Sequence, residues 1–391
     1  MKRRDFLVAS SAALLSPHLA YADGPPRRVA VIGHTGRGDY GHGIDTVWRQ
    51  IPTTEIAAVA DPVASGLAKA MNKLKVDRGF AEYRKMLREV RPEFVAVGPR
   101  HIDQHCDMIL AAIESGAKGI YCEKPFCRTP AEADQLIAAC EKHGAKIAVA
   151  HRNRYHPALP QIDALIESGR LGKLLEMRGR GVGDHRGGDE DLWVLGSHVL
   201  NLAHHFAGAP QSCSAIMLNQ GRRVVESDVK PGAEGLGPLA ADEVHARYET
   251  EKGVIAYYDS IANDGTNRRA YCLQLIGDQA MVTIFIDRNP LAYFTPGNPY
   301  QTDPSQKPLP ITTAGVGKPE TQPDLIRQTA NHVLAVQDLI DACDQDRQPA
   351  CSGRDGAVTV EMICGVFASH AAGGQTLDFP LQERDNALAT W

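Results

Sequence analysis

Two basic side chains in this 391-residue sequence are of types that can exchange a proton with a bound molecule. Lys124 lies in Glu123-Lys124-Pro125, and His198 in Gly196-Ser197-His198-Val199-Leu200-Asn201. Lys124 follows the apolar run GIYC, so it falls just beyond a strand's carboxyl end, where open α/β sheets bind ligands. A lysine there stabilises a developing alkoxide as a cation, or takes a proton if its pKa is lowered. A histidine exchanges a proton near neutrality. Both suit the oxidation of a hydroxyl-bearing carbon, provided that something accepts the hydride.

An acceptor site is legible upstream. Val29 to Ile32 is a short apolar strand that runs into Gly33, Gly36, Gly38, Gly41 and Gly43. Ile44, Val47, Trp48 and Ile51 then recur at helical spacing. Strand, glycine turn and helix form the context of a dinucleotide site, in which glycines let the backbone approach a pyrophosphate and the helix N-terminus donates N–H groups to it. The spacing departs from GxGxxG: with Gly33 opening the turn, Thr35 holds the second glycine position, and Gly36, Arg37 and Gly38 fall at the phosphates. The next strand, EIAAVADP, ends in Asp61, 28 residues after Gly33. An acidic group there accepts hydrogen bonds from ribose hydroxyls and repels a 2′-phosphate, which selects NAD rather than NADP.

The elements that position these groups alternate. FVAVGP (94–99) reads as a buried strand, 103–115 as a helix, GIYCEKP (119–125) as a strand, 129–144 as a helix capped by Thr129 with Glu132 completing a capping box, and KIAVAH (146–151) as a strand. This order predicts a doubly wound parallel sheet over 23–150. Beyond it, LLEMRGRG, VHARYE, GVIAYYDS, YCLQLIG and AMVTIFI alternate as sheet strands of a second domain, 151–391.

Glu123-Lys124-Pro125, the glycine turn, Asp61, the segment from Pro99 to His105 and GSHVLN together resemble the Gfo/Idh/MocA oxidoreductases over nearly the whole chain. The resemblance implies an N-terminal Rossmann domain, a largely antiparallel open sheet in a C-terminal α+β domain that often mediates dimers, and a sugar or polyol between them. It gives Lys124 contact with the reacting hydroxyl or the nicotinamide ribose, and places Pro99, His105 and Glu123 along the cofactor. HRNRYHP matches the family's crossing into the second domain, so Arg154 and Tyr155 face the substrate. The family's D-x-G-x-H-x-x-D pattern is incomplete: Val194 and Asn201 stand at its aspartate positions. His198 then needs another charge partner. Asp191, two helical turns earlier, or the adjacent Asp189 or Glu190, is the candidate, with His185, Arg186 and Asn201 lining the same site. No metal is expected.

The first residues frame the biology. Lys2, Arg3 and Arg4, a short apolar run and Ala20-Tyr21-Ala22 read as a twin-arginine leader over 1–22, sending a folded chain to the periplasm or beyond. Its removal takes three basic residues and one acidic one, and the formal charge from -5 to -7, which argues against nucleic acid or an anionic membrane as partner. No later run is long and apolar enough to span a bilayer. Nine scattered cysteines without CxxC read as free thiols. Away from a free NAD pool, the cofactor must stay bound and be restored each cycle. Three readings follow: a sugar, polyol or glycoside oxidoreductase working with bound NAD, a redox-neutral NAD-dependent glycosidase passing through a 3-keto sugar, or a non-catalytic NAD-dependent sensor or scaffold.

Overall fold

The computed structural model describes residues 25–301 and 305–391. The leader expected over 1–22 lies outside them. Six strands form a parallel sheet: β1 (Arg27–Ile32), β2 (Thr54–Ala60), β3 (Gly79–Phe80), β4 (Phe94–Val97), β5 (Gly119–Cys122) and β6 (Lys146–Val149), in the order β3-β2-β1-β4-β5-β6. The helices α1 (Ala64–Leu74), α2 (Tyr83–Val90), α3 (His105–Glu114) and α4 (Pro130–His143) make the crossovers. Residues 29–32 of β1 and all of β4 and β5 are apolar and buried, as a sheet covered on both faces requires. The order reverses between β1 and β4, which opens a crevice at their carboxyl ends.

Thr129 caps α4 by accepting from the Glu132 N–H at 3.1 Å, but Glu132 does not close the expected box. Its carboxylate instead takes the Arg128 N–H at 2.8 Å and the Arg128 guanidinium. The helix expected after the glycine turn is also absent. Only a single 3-10 turn, Val47–Gln50, forms there. Gly41 and Gly43 hold φ of 63° and 94°, and Pro52 disfavours helix at Ile51, leaving too few residues to nucleate one. Ile44, Val47, Trp48 and Ile51 are nonetheless buried, so their spacing reported burial and not helix.

The second sheet has eleven strands among the described residues. Its centre runs Ala280–Phe285, Cys272–Gly277, Leu174–Arg180, Ile255–Ile261, Glu243–Thr250 and Pro210–Asn219. All of these pair antiparallel except Leu174–Arg180 with Ile255–Ile261. The helices Ser197–Ala207 and Gly353–Ala371 pack on one face. The helix Val333–Asp344 returns to β5 and β6, with Val336 and Leu339 buried. All nine cysteines are free thiols.

Candidate active site

The glycine turn is held from outside itself. The Thr35 N–H and hydroxyl donate to Asp61, the hydroxyl at 2.6 Å, and the Tyr40 hydroxyl adds a bond of 2.8 Å. The Gly36 N–H donates to the Asp39 carboxylate at 2.9 Å, and the His42 N–H to Glu123 at 2.9 Å. A Cβ on Gly41 would lie 2.6 Å from the Gly98 carbonyl oxygen, so only glycine lets the turn rest against the end of β4. Asp61 is fully buried and its oxygens are taken by the chain itself. It therefore anchors the turn, whereas its type and position predict that its carboxylate accepts from ribose hydroxyls. It also lines a cleft of about 310 Å³, with Gly33, Tyr83, Asp103 and Gln104 on the other walls. Glu82 and Asp107 add further negative charge to that lining, which suits an unphosphorylated ribose.

Glu123 joins the two halves of the crevice. It is 1% exposed and accepts from the His42 backbone and ring and from the Lys124 N–H at 2.7 Å. Burial alone would raise its pKa, but the His42 hydrogen bond and the charges of His42, Lys124 and His332 bring it down to about 2. His105 staples the next pair of loops. Its Nε2 lies 2.7 Å from the Pro99 carbonyl oxygen and its Nδ1 3.0 Å from that of Pro125. Both residues, placed along the cofactor by resemblance, thus hold the loops that would touch it. The Lys124-Pro125 peptide is cis.

Lys124 is 7% exposed and its Nζ donates to the Val194 carbonyl oxygen at 2.7 Å. Burial lowers its pKa, with Glu123 and Glu234 opposing in part. The acceptor exists because the chain forms a π-helix over Leu192–Gly196 before the helix Ser197–Ala207. The wider turn frees carbonyls. Val194 takes the lysine, and Leu195 accepts from the Tyr271 hydroxyl at 2.6 Å. A backbone oxygen thus meets Lys124 at the residue where the family pattern has a carboxylate.

The same turn breaks the register by which Asp191 was to reach His198. Asp191 points instead to Ser260 (2.5 Å), Tyr258 (3.2 Å) and the Val182 N–H (2.9 Å), and burial raises its pKa to about 6. His185 is exposed, and Arg186 folds back on Asp184. Arg154, Tyr155 and Asn201 meet at the junction with the helix Gly353–Ala371. Arg154 donates to Asn201 (3.2 Å), Asp355 (3.3 Å) and the Ala350 carbonyl (2.7 Å), the Asn201 amide donates to Thr359 (3.0 Å), and the Tyr155 hydroxyl accepts from the Cys351 N–H (3.1 Å). These side chains brace the junction where the sequence had them lining the substrate site.

The partner beside His198 is another histidine. The His151 ring lies edge-on to the His198 ring, with centroids 5.1 Å apart. His151 is 2% exposed, yet neither of its nitrogens has a hydrogen-bond partner, and neither does His198 Nδ1. Burial and the Lys124 charge push His198 well below its ordinary pKa, and burial, Lys124 and Arg154 push His151 down to about 3. Sequence reading passed over His151. Its signal was position: it closes β6 as Lys124 follows β5, and β5 and β6 are neighbours with carboxyl ends together. Lys124, His151 and His198 form one polar wall, on which the two histidine rings carry nitrogens free to bind. Among the described residues no cluster of three or more His, Cys, Asp and Glu could hold a metal ion.

Comparisons with known proteins agree with this geometry. Residues 27–151 match the profile of the NAD-binding Rossmann fold of the GFO/IDH/MocA oxidoreductases, and residues 163–378 that of their C-terminal alpha/beta domain. Levoglucosan dehydrogenase of Pseudarthrobacter phenanthrenivorans is 21% identical over 372 residues, 84% of this chain and 90% of that one. D-Apiose dehydrogenase of Paraburkholderia graminis is 29% identical over 125 residues, 32% of this chain, so the chain spans only 33% of that relative. Inositol 2-dehydrogenase of Salmonella typhimurium is 28% identical over 128 residues, 32% of this chain and 38% of its own length. The solved levoglucosan dehydrogenase with NADH and L-sorbose superposes with a TM-score of 0.73 at 18% identity, covering 92% of this chain and 100% of that one. With both domains matched in order and the crevice between them, the chain belongs to the Gfo/Idh/MocA oxidoreductase family, and its first domain is an NAD-binding Rossmann domain.

Proposed function

We propose that the protein is an NAD-dependent dehydrogenase that oxidises a secondary hydroxyl of a sugar or polyol. The observation that carries this reading is the convergence of buried Lys124 and His151 with half-buried His198 beside the Rossmann crevice, both histidine rings carrying unpartnered nitrogens. The groove fits the cofactor: glycines pack the turn against β4, Arg37 and Arg100 lie beside it, and the cleft below is acidic. When bound, nicotinamide accepts the hydride. Lys124 turns its Nζ from the Val194 carbonyl to the substrate oxygen and stabilises negative charge there. His198, uncharged at neutral pH, takes the hydroxyl proton. His151 holds a neighbouring hydroxyl, which orients the carbon to be oxidised.

The family relatives act on levoglucosan, apiose and inositol by name, which supports a polyhydroxylated substrate. The paired arginines of the first residues support export of the folded chain with NAD already in place. The test is NADH formation by the NAD-loaded chain on a panel holding levoglucosan, D-apiose and myo-inositol. Turnover that falls about 10²- to 10⁴-fold in Lys124→Ala, with the cofactor still bound, is expected. Equal turnover in that variant, or none on any polyol by the unaltered protein, overturns the reading.

A further inference from the structure

The glycine turn lacks the helix N-terminus that ordinarily faces a pyrophosphate, so positive charge must come from side chains. Two arginines stand there, and both are engaged. Arg37, on the turn, pairs with Asp103 on the loop after β4, at 2.5 Å. Arg100, on the same loop, pairs at 3.6 Å with Glu234, which belongs to the second domain.

Glu234 sits at the tip of a small hairpin, Lys230–Pro231 paired with Pro238–Leu239. The base of this hairpin is fixed. Leu236 and Leu239 are buried, and the Ala240 and Ala241 N–H groups donate to the buried Asp189 carboxylate at 2.5 and 2.8 Å. Asp189 begins the segment that leads into the His198 helix. The tip is tight. Glu234 has a φ of 50°, in the left-handed region that a non-glycine residue adopts at a cost, and a Cβ on Gly235 would lie 2.4 Å from the Asp103 carboxylate. Asp103 lines the adenosine-sized cleft, while Glu234 is near enough to Lys124 to act on its charge. The tip therefore spans the groove from the cleft to the catalytic lysine, over the stretch a diphosphate would cross.

We propose that the hairpin Lys230–Leu239 is the third wall of the cofactor site and its gate: Arg37 and Arg100 take the dinucleotide's diphosphate, and the tip at Glu234 and Gly235 closes over it and sets how fast it leaves. This rests on the reading of the groove as a dinucleotide site. The ion pairs at the tip are 28–42% exposed, which makes the contact openable and not a weld. A slow gate is what an exported enzyme needs to keep a cofactor that its surroundings do not replace.

The experiment loads the chain with NADH, then follows the loss of bound-NADH fluorescence after mixing with excess NAD, for the unaltered protein, Glu234→Gln and Gly235→Ala. Both variants should release NADH about tenfold faster. Added salt should speed release from the unaltered protein more than from Glu234→Gln, a difference that a merely structural role would not show. Release within about twofold of the unaltered rate in both variants overturns the gate. Failure of the unaltered chain to bind NADH at all overturns the dinucleotide reading itself, and is told apart by direct titration.

Discussion

At the scale of single residues, the site is defined by nitrogens that the fold buries and does not satisfy. A buried polar group without a partner costs folding free energy, on the order of 1–3 kcal/mol. His151 carries two such atoms side by side with His198. Substituting His151 by Phe keeps the ring volume and removes both nitrogens. The expected result is a raised KM and a kcat about ten- to a hundredfold lower, with recovery in part by Asn, measured as steady-state NADH formation. Lys124 and His198 stand out in the sequence because each lies in a short pattern that resembles the family's, and their roles are the ones proposed above. His151 was not, because a histidine after a strand carries no pattern, and only the pairing of β5 with β6 brings it to the lysine. Asp61 shows the reverse. Its residue type and place suit a ribose, but Thr35 and Tyr40 occupy its oxygens.

At the scale of elements, strands that are buried on both faces announce themselves as apolar runs, and β1, β2 and β4 to β6 all fell where the pattern set them. Elements whose shape depends on backbone conformation did not. The helix after the glycine turn was lost to two positive-φ glycines and a proline, and the π-helix Leu192–Gly196 shifted Asp191 off the His198 face. Both concern how many residues make one turn, which apolar periodicity does not resolve. Glu123 is the joint between elements, tying the turn at His42 to the loop at Lys124. Glu123→Ala leaves His42 and Lys124 without their buried counter-charge. A loss of about 3–5 kcal/mol of stability is expected in denaturant titrations, together with weaker NADH binding. An unchanged unfolding midpoint would mean that the turn is held by Asp61 alone.

At the scale of the whole molecule, the buried histidines make stability depend on pH. The folded state holds His151 down at about 3, and His156 and His332 at about 4, against an ordinary value of 6.5. Below pH 6.5 the unfolded chain gains protons that the folded chain refuses, so these groups leave stability intact above pH 6.5 and remove it as pH falls toward 3 or 4. Asp189 and Asp191, raised to about 6, act in the opposite sense: they favour the folded state below their ordinary 3.8 and lose that contribution as pH rises to 6. The balance makes single substitutions the informative measurement. His151→Phe should flatten the acid limb between pH 4 and 6 by about 1.4 kcal/mol per pH unit, read from denaturant midpoints at a series of pH values. The proposed export is also a property of the whole chain. Replacing Arg3 and Arg4 by lysine should leave the protein in the cytoplasm, with its cofactor bound, on fractionation.

In the proposed reaction this crevice takes hydride from a carbinol carbon, with Lys124 at the oxygen. Deuterium at that carbon reports it most directly. The NAD-loaded chain is mixed with a polyol deuterated at its carbinol positions, and the released nucleotide is weighed by mass spectrometry. The expected result is NADH heavier by one deuterium from the unaltered protein and unlabelled NAD from Lys124→Ala. Polyol consumed with no deuterium in the nucleotide, or the same label from Lys124→Ala at the same rate, would contradict the account.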